Sequence, residues 1–378
     1  MTEPSASKPS EYPTDRYLAY MGLAPRHIPH WEHWSCPDAE TYLTGIDYYE
    51  HPRLCRLRLR ELYPQLRLDL PKTDDPKPRP GLELTGQSSS QDAQGRRHIR
   101  WGDGESWHFD WGKTFHSADD ALAFSPLAHA ADFTNIPVVE SRDYSDEAKL
   151  YQAYRKNYPA QWADKAPAGS DASVSFYNTM FMWPLLTFGW ELFLETCLDE
   201  RFERVMAEFA EINRRVFRVF ARLPVNFIIC HDDIMNARGP VCSPAWMHRY
   251  IFPRYEEFWG IVKAAGKEVI FMADGCMDRY ADDVIACGAR GIISEPFTDY
   301  KAIARRHEGK NLFLAGEGDN RILTRNDGNE IKAMVESMVQ TAKMTGGYVM
   351  CIGNHIPWNV TPRGIKQYLD LSAELAHR

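Results

Sequence analysis

Five short apolar runs, each followed by a segment of helical length, occupy the second half of the chain. They read VNFIIC (225–230), EVIFMAD (268–274), GIISEP (291–296), NLFLAGE (311–317) and YVMCIG (348–353). Runs this unbroken, alternating with helical patterns, predict parallel strands covered on both faces. Nearly every run closes on a polar residue: His231-Asp232-Asp233, Asp274, Glu295, Glu317 and Asn354-His355. Parallel α/β barrels bring the C-terminal ends of their strands to one face, and that face carries the chemistry. Carboxylates and two histidines gathered there would cost too much desolvation to serve packing alone. The pattern therefore predicts an α/β fold, an active site on that face, and an enzyme.

The first half reads less regularly. MTEPSASKPSEYPTD (1–15) has the composition of a disordered leader. A short helix is expected over Asp15–Leu23, ended by Pro25. HIPHWEHWS (27–35) fits either a first strand carrying Glu32 or an aromatic packing segment. Residues 48–71 contain a helix of alternating charge and then an apolar stretch. Residues 72–100, rich in Pro, Ser, Gln and charge, read as a surface insertion rather than a domain boundary. WGDGESWHFDWGKTF (101–115) has a hairpin pattern, as a small packed hairpin or as an aromatic pocket lid. Helices are expected over 145–165 and 199–221. Residues 167–195 read as a loop followed by a strongly apolar helix whose aromatic residues are core.

Charge and cysteine usage narrow the classes. The net charge is −8 and the pI about 5.9, with no basic stripe, which argues against nucleic acid or an anionic membrane as partner. No apolar run approaches a membrane span, and the N-terminus lacks an apolar signal core. Eight scattered cysteines without a CxxC pair suggest reduced thiols and a cytoplasmic protein.

Several polar residues could carry chemistry. Side chains alternate at a strand end, so Asp233 is expected to face inward while Asp232 caps a loop. Adjacent carboxylates also repel, which raises a pKa or calls for a cation. Asp274 and Cys276 form a D-x-C pair able to offer oxygen and sulfur to one metal, although Cys276 fits an ordinary helix start as well. Glu295 precedes Pro296, and Glu317 lies between glycines that permit close approach of a ligand. His355, beside a glycine and a proline-stiffened loop, can ligate a metal or move a proton. Cys351 reads as a buried, inert thiol.

These residues also carry a resemblance. HDDI…GP…SP…PRY, GK-x-VIF-x-x-DG, ISEP-x-TD and GGY…GNHIPWNVTP occur in order, and together they resemble the uroporphyrinogen decarboxylase superfamily. The resemblance covers about 175–375, with a weaker echo at 25–70. It implies a single (β/α)8 TIM barrel over 16–378, with an N-terminal extension and the polar insertion. The family holds porphyrinogen decarboxylases, which need no cofactor, and cobalamin-dependent methyltransferases. The arginine-rich MRQAGR motif of the decarboxylases is absent; MGLAPRHIPHWEHW stands in its place with only Arg26. The methyltransferases' His-x-Cys is replaced by Met272 and Asp274.

The resemblance thus implies a demethylase-type enzyme, moving a methyl group from a small methylated donor, methoxylated aromatics among the candidates, to a corrinoid. No DxHxxG motif is present, so the corrinoid would ride on a partner protein. A zinc ion would be held by some of Asp274, Cys276, Glu317 and His355. Asp233, His231, Glu295 and His355 would be catalytic, and Trp31, Glu32, Asn354 and Trp358 would contact substrate. A homodimer is a further expectation from the family. The alternatives are a decarboxylase of a small acid or tetrapyrrole, and a barrel kept only as a binding scaffold.

Overall fold

Eight short parallel strands frame the computed structural model. It describes residues 13–34, 36–77, 79, 89–91, 96–101, 104–109, 114–133, 136, 140–177 and 179–377, the side chains of 89–109 aside. The strands are β1 (His30–Trp31), β2 (Leu66–Arg67), β3 (Ser173–Phe176) and β4 (Phe227–His231). There follow β5 (Glu268–Met272), β6 (Gly291–Ile293), β7 (Phe313–Ala315) and β8 (Gly347–Val349). β3 to β8 pair in chain order as one parallel sheet. β1 pairs with β2, and a parallel bridge from His30 to Met350 seats β1 beside the end of β8. This is the strand order of a (β/α)8 barrel. Among the described residues no backbone pair joins β2 to β3. Arg16, bound to Asp171 at 3.0 Å, lines a hollow there together with Arg67.

Helices cover the outside. The longest, Phe202–Arg222, buries Phe202, Val205, Met206, Phe209, Ile212, Val216, Phe217 and Phe220, the three-and-four spacing of one helical stripe. The last helix, Pro362–Leu375, packs on Gly328–Met344 and on Pro37–Thr44, closing the ring. A short helix, Asp15–Tyr20, plugs the N-terminal end: the Tyr20 ring stands edge-on to Phe227 and Phe313, with centroids 5.2 and 5.0 Å away. Only glycine fits beneath it, because a Cβ on Gly347 would lie 1.9 Å from the Ala19 carbonyl oxygen.

The predicted strands are all present, though shorter than the apolar runs. Three expectations change. β3 lies inside the stretch read as a loop; its SVSF pattern alternates buried and open positions, and two serines hide the strand signal. The end of the 72–100 insertion is not loop: Ser89–Gln91, Arg96–Trp101 and Gly104–Phe109 form an antiparallel three-stranded sheet. That sheet takes in most of the expected hairpin, while 102–103 and 110–113 lie outside the described residues. Of the expected leader over 1–15, Thr14 and Asp15 belong to the first helix, where Thr14 accepts from the Tyr17 amide at 3.0 Å, and residues 1–12 lie outside the described residues.

Gly316 marks where β7 turns into the mouth. Its φ is +103°, and a Cβ there would stand 1.8 Å from the Ser294 carbonyl oxygen. Gly316→Ala is expected to cost about 2–3 kcal/mol, read as a lowered urea midpoint with unchanged slope.

Candidate active site

The mouth of the barrel is built by the residues that follow β4, β5, β6 and β8. His231 ends β4, and its Nε2 lies 2.9 Å from Asp233 Oδ1. The same Asp233 oxygen accepts the Asp274 amide at 2.8 Å, which ties the end of β4 to the end of β5. His231, Asp233 and Asp274 each offer a ligand atom, and these atoms lie within 4.8 Å of one another. Glu295 stands next in the ring. It accepts the Gly275 amide at 2.7 Å and the Asn354 side-chain amide at 3.3 Å. Asn354 Nδ2 also reaches Asp274 Oδ2 at 3.4 Å, so its Oδ1 is left to accept from His355 Nδ1 at 2.7 Å. Asn354 holds this bridging position with φ +67°, a conformation asparagine tolerates better than most residues.

The electrostatics are those of crowded carboxylates. Burial, reinforced by Asp233 and Glu295, pushes the Asp274 carboxyl up to about 7. Burial opposes a charged His231, but its bond to Asp233 and the nearby acids outweigh that and raise its pKa. Burial likewise opposes ionised Asp233, and the His231 contact overcomes it, so Asp233 is lowered. Burial, helped by the neighbouring His33, lowers the pKa of His355; the two rings are 5.6 Å apart.

Below this ring a cavity of about 540 Å³ runs into the barrel. Trp31, Tyr177, His231, Asp274, Asn354 and His355 are among its walls. Tyr177 packs on His231 with ring centroids 4.5 Å apart. A larger hollow, about 650 Å³, opens at the opposite face against Lys165, Arg222 and Lys267, but among the described residues no cluster of ligand atoms faces it.

Trp31 and His355 line the cavity, and the other expected site residues lie elsewhere. Glu32 is buried beneath the site, accepting from Tyr368 at 2.6 Å, His30 at 2.7 Å and the Ile352 amide at 3.2 Å. Its carboxylate is taken up by these groups and is not among the cavity walls. Glu317 accepts from Ser337 at 3.0 Å and Tyr348 at 3.0 Å, turned outward to the helix layer. Cys276 joins a turn whose amide donates to Asn236, and it stands outside the ligand cluster. Trp358 does not line the cavity; its carbonyl accepts from the Cys36 thiol at 3.3 Å. His355 lines the cavity but is not one of the three clustered ligands. Asp232 points away from the mouth. Fully buried, it accepts from the amides of Phe181 and Met182 at 3.0 and 2.6 Å and from Tyr255 at 2.6 Å.

Tyr177 and His33 were missed from the sequence. The signal for Tyr177 was the period of two along β3, since Ser173, Ser175 and Tyr177 all face the cavity.

Residues 192–375 match the family model described as Uroporphyrinogen decarboxylase (URO-D). These residues belong to the URO-D superfamily. The URO-D segment contains four of the mouth's contributing strands and every clustered ligand. No curated protein matches the chain. A methyltransferase from Methanosarcina mazei has a similar structure, with a TM-score of 0.54 and 14% identity over 95% of this chain and 97% of that one. That likeness shows a shared fold over the N-terminal half as well. An IOLI protein with a bound zinc atom matches 47% of this chain and 71% of its own, at 11% identity and a TM-score of 0.31. A xylose isomerase-like TIM barrel protein from Mycobacterium smegmatis in complex with magnesium covers 69% and 100% at 10% identity and 0.26. Scores that low carry no argument here.

Proposed function

We propose that the chain is a metal-assisted methyltransferase that takes a methyl group from a small methylated donor, a methoxylated aromatic among them, and delivers it to a corrinoid carried by a separate protein. The observation that carries the reading is the convergence of His231, Asp233 and Asp274 at the barrel mouth. One imidazole nitrogen and two carboxylates are a donor set that zinc accepts, with a further position left for substrate. Burial first, then the acidic neighbours, pushes the Asp274 carboxyl up to about 7, and a cation held there would favour its ionised form. A zinc ion there would supply Lewis acidity toward a departing oxygen.

This ligand set replaces the one expected from the sequence in all but Asp274. The chain's own groups do the rest. His231 and Asp233 hold one another, so each is oriented before substrate arrives. Asn354 fixes Asp274, Glu295 and His355 relative to one another. His355, inclined to stay neutral, is placed to pass a proton to or from the demethylated product. Trp31 and Tyr177 give an aromatic wall suited to a flat, apolar donor. The acid-rich mouth disfavours a polyanion such as a porphyrinogen.

Protein purified without chelator should hold about one zinc per chain, measured by mass spectrometry of the eluted metal. His231→Ala should lose it, whereas Cys276→Ala and Glu317→Ala should keep it. Wild-type protein that neither carries nor takes up zinc would remove the metal from the proposal. Demethylation that proceeds without any corrinoid acceptor would remove the partner.

A further inference from the structure

On the barrel's N-terminal face a small basic hollow has no part in this chemistry. It measures about 180 Å³ and lies where the helix Phe252–Ala264 meets the turns leading into β6 and β7. Lys263, Arg290, His307 and Lys310 line it, and among the described residues no carboxylate does. Such a wall stands out in a chain of net charge −8.

The cations are positioned rather than loose. Lys263 Nζ donates to the Gly288 carbonyl at 3.0 Å, and Lys310 Nζ sits 3.5 Å from His307 Nδ1. Arg290 Nη1 donates to the Asn311 carbonyl at 3.4 Å. Two acids approach from outside the lining: Glu268 takes Arg290 Nη2 at 2.7 Å, and Asp282 takes His307 Nε2 at 2.7 Å. Both lysines remain without a carboxylate partner among the described residues. Arg290 Nε is buried with no acceptor, an unmet donor of the kind a bound anion satisfies.

We propose that this hollow binds a small oxyanion of the phosphate class, free or as the phosphoryl group of a metabolite. Lysine ammonium groups and an arginine fork are the donors that phosphate oxygens take. The volume suits one such group and little more. The lining comes from three successive βα units, so an anion there would cross-brace them and stabilise the folded chain. The N-terminal face of such barrels governs stability rather than turnover. Occupancy is therefore expected to move the unfolding temperature and leave methyl transfer unchanged.

Thermal unfolding of the whole chain against inorganic phosphate, with ionic strength held by chloride, tests this. The expected result is a saturable rise of about 2–4 °C. Calorimetry should give an affinity at least tenfold weaker in Lys310→Met and in Lys263→Met. Lys310→Arg should retain binding, and the remote Lys332→Ala should behave as wild type. Glycerol phosphate in place of phosphate separates the two sources: tighter binding assigns the site to a phosphorylated metabolite, and weaker binding to the free ion. A rise that never saturates overturns the proposal, as does full binding in the Lys263→Met/Lys310→Met double variant.

Discussion

Asp274→Asn is expected to yield a metal-free protein that is more stable than wild type and at least about a hundredfold slower in methyl transfer. Both effects come from one carboxylate. In the unfolded chain it ionises at its ordinary value of 3.8, but burial and the fields of Asp233 and Glu295 hold it protonated up to about 7 in the fold. Between those values the folded state binds the extra proton, so stability falls as pH rises. The contribution is fully present below about pH 4 and lost above about pH 7. Asparagine never ionises and escapes that loss. The full shift would be worth about 4 kcal/mol, and solvent at the open side of the site reduces this to about 2.

The difference between variant and wild type should thus be small at pH 4 and reach its full size at pH 8, measured by thermal unfolding in chelator. His231 and Asp233 titrate with Asp274, so the variant also loses part of what raises His231, a smaller effect of the same substitution. Zinc should erase the gap by stabilising wild type more than the variant. Equal stability at pH 8 without metal would mean that the mouth's acids are compensated some other way. Unimpaired turnover would remove Asp274 from the site.

How far this was readable from the chain differs between the two halves. β4 to β8 announce themselves because a strand covered on both faces needs an unbroken apolar run, and the polar residues that end them mark the mouth. Asp233, His231, Glu295 and Asn354 were placed from that logic alone. β1, β2 and β3 are two to four residues long, and Ser173 and Ser175 face a polar cavity, so no apolar run reveals them. The misassigned residues share another cause. Glu32 and Glu317 sit at or beside strand ends like the site residues, yet each is taken up by a donor from the layer behind, Tyr368 or Tyr348. That donor lies far along the chain and no local pattern carries it, whereas alternation along the strand sufficed to turn Asp233 to the mouth and Asp232 away from it. Cys276 failed for a simpler reason, since ligand spacing within one loop says nothing about where a neighbouring strand delivers its histidine.

Glu32→Ala should be among the most destabilising single changes in the protein, with no direct effect on substrate affinity. The carboxylate is 2% exposed and joins three parts of the ring at once: His30 on β1, the Ile352 amide beyond β8, and Tyr368 on the last helix. With alanine, the Ile352 amide loses the Glu32 carboxylate, and the Tyr368 hydroxyl and His30 Nε2 keep only their 3.2 Å contact with each other in a dry interior. Removing one member of such a buried network costs about 3–5 kcal/mol. In a chain of this size that lowers the melting temperature by roughly 4–6 °C. Glu32→Gln, which keeps one acceptor oxygen, should recover part of the loss. At a temperature where both variants stay folded, KM for the methyl donor should equal that of wild type. A raised KM with unchanged stability would return Glu32 to the substrate, whereas the expected split makes it the staple that holds the first strand against the last.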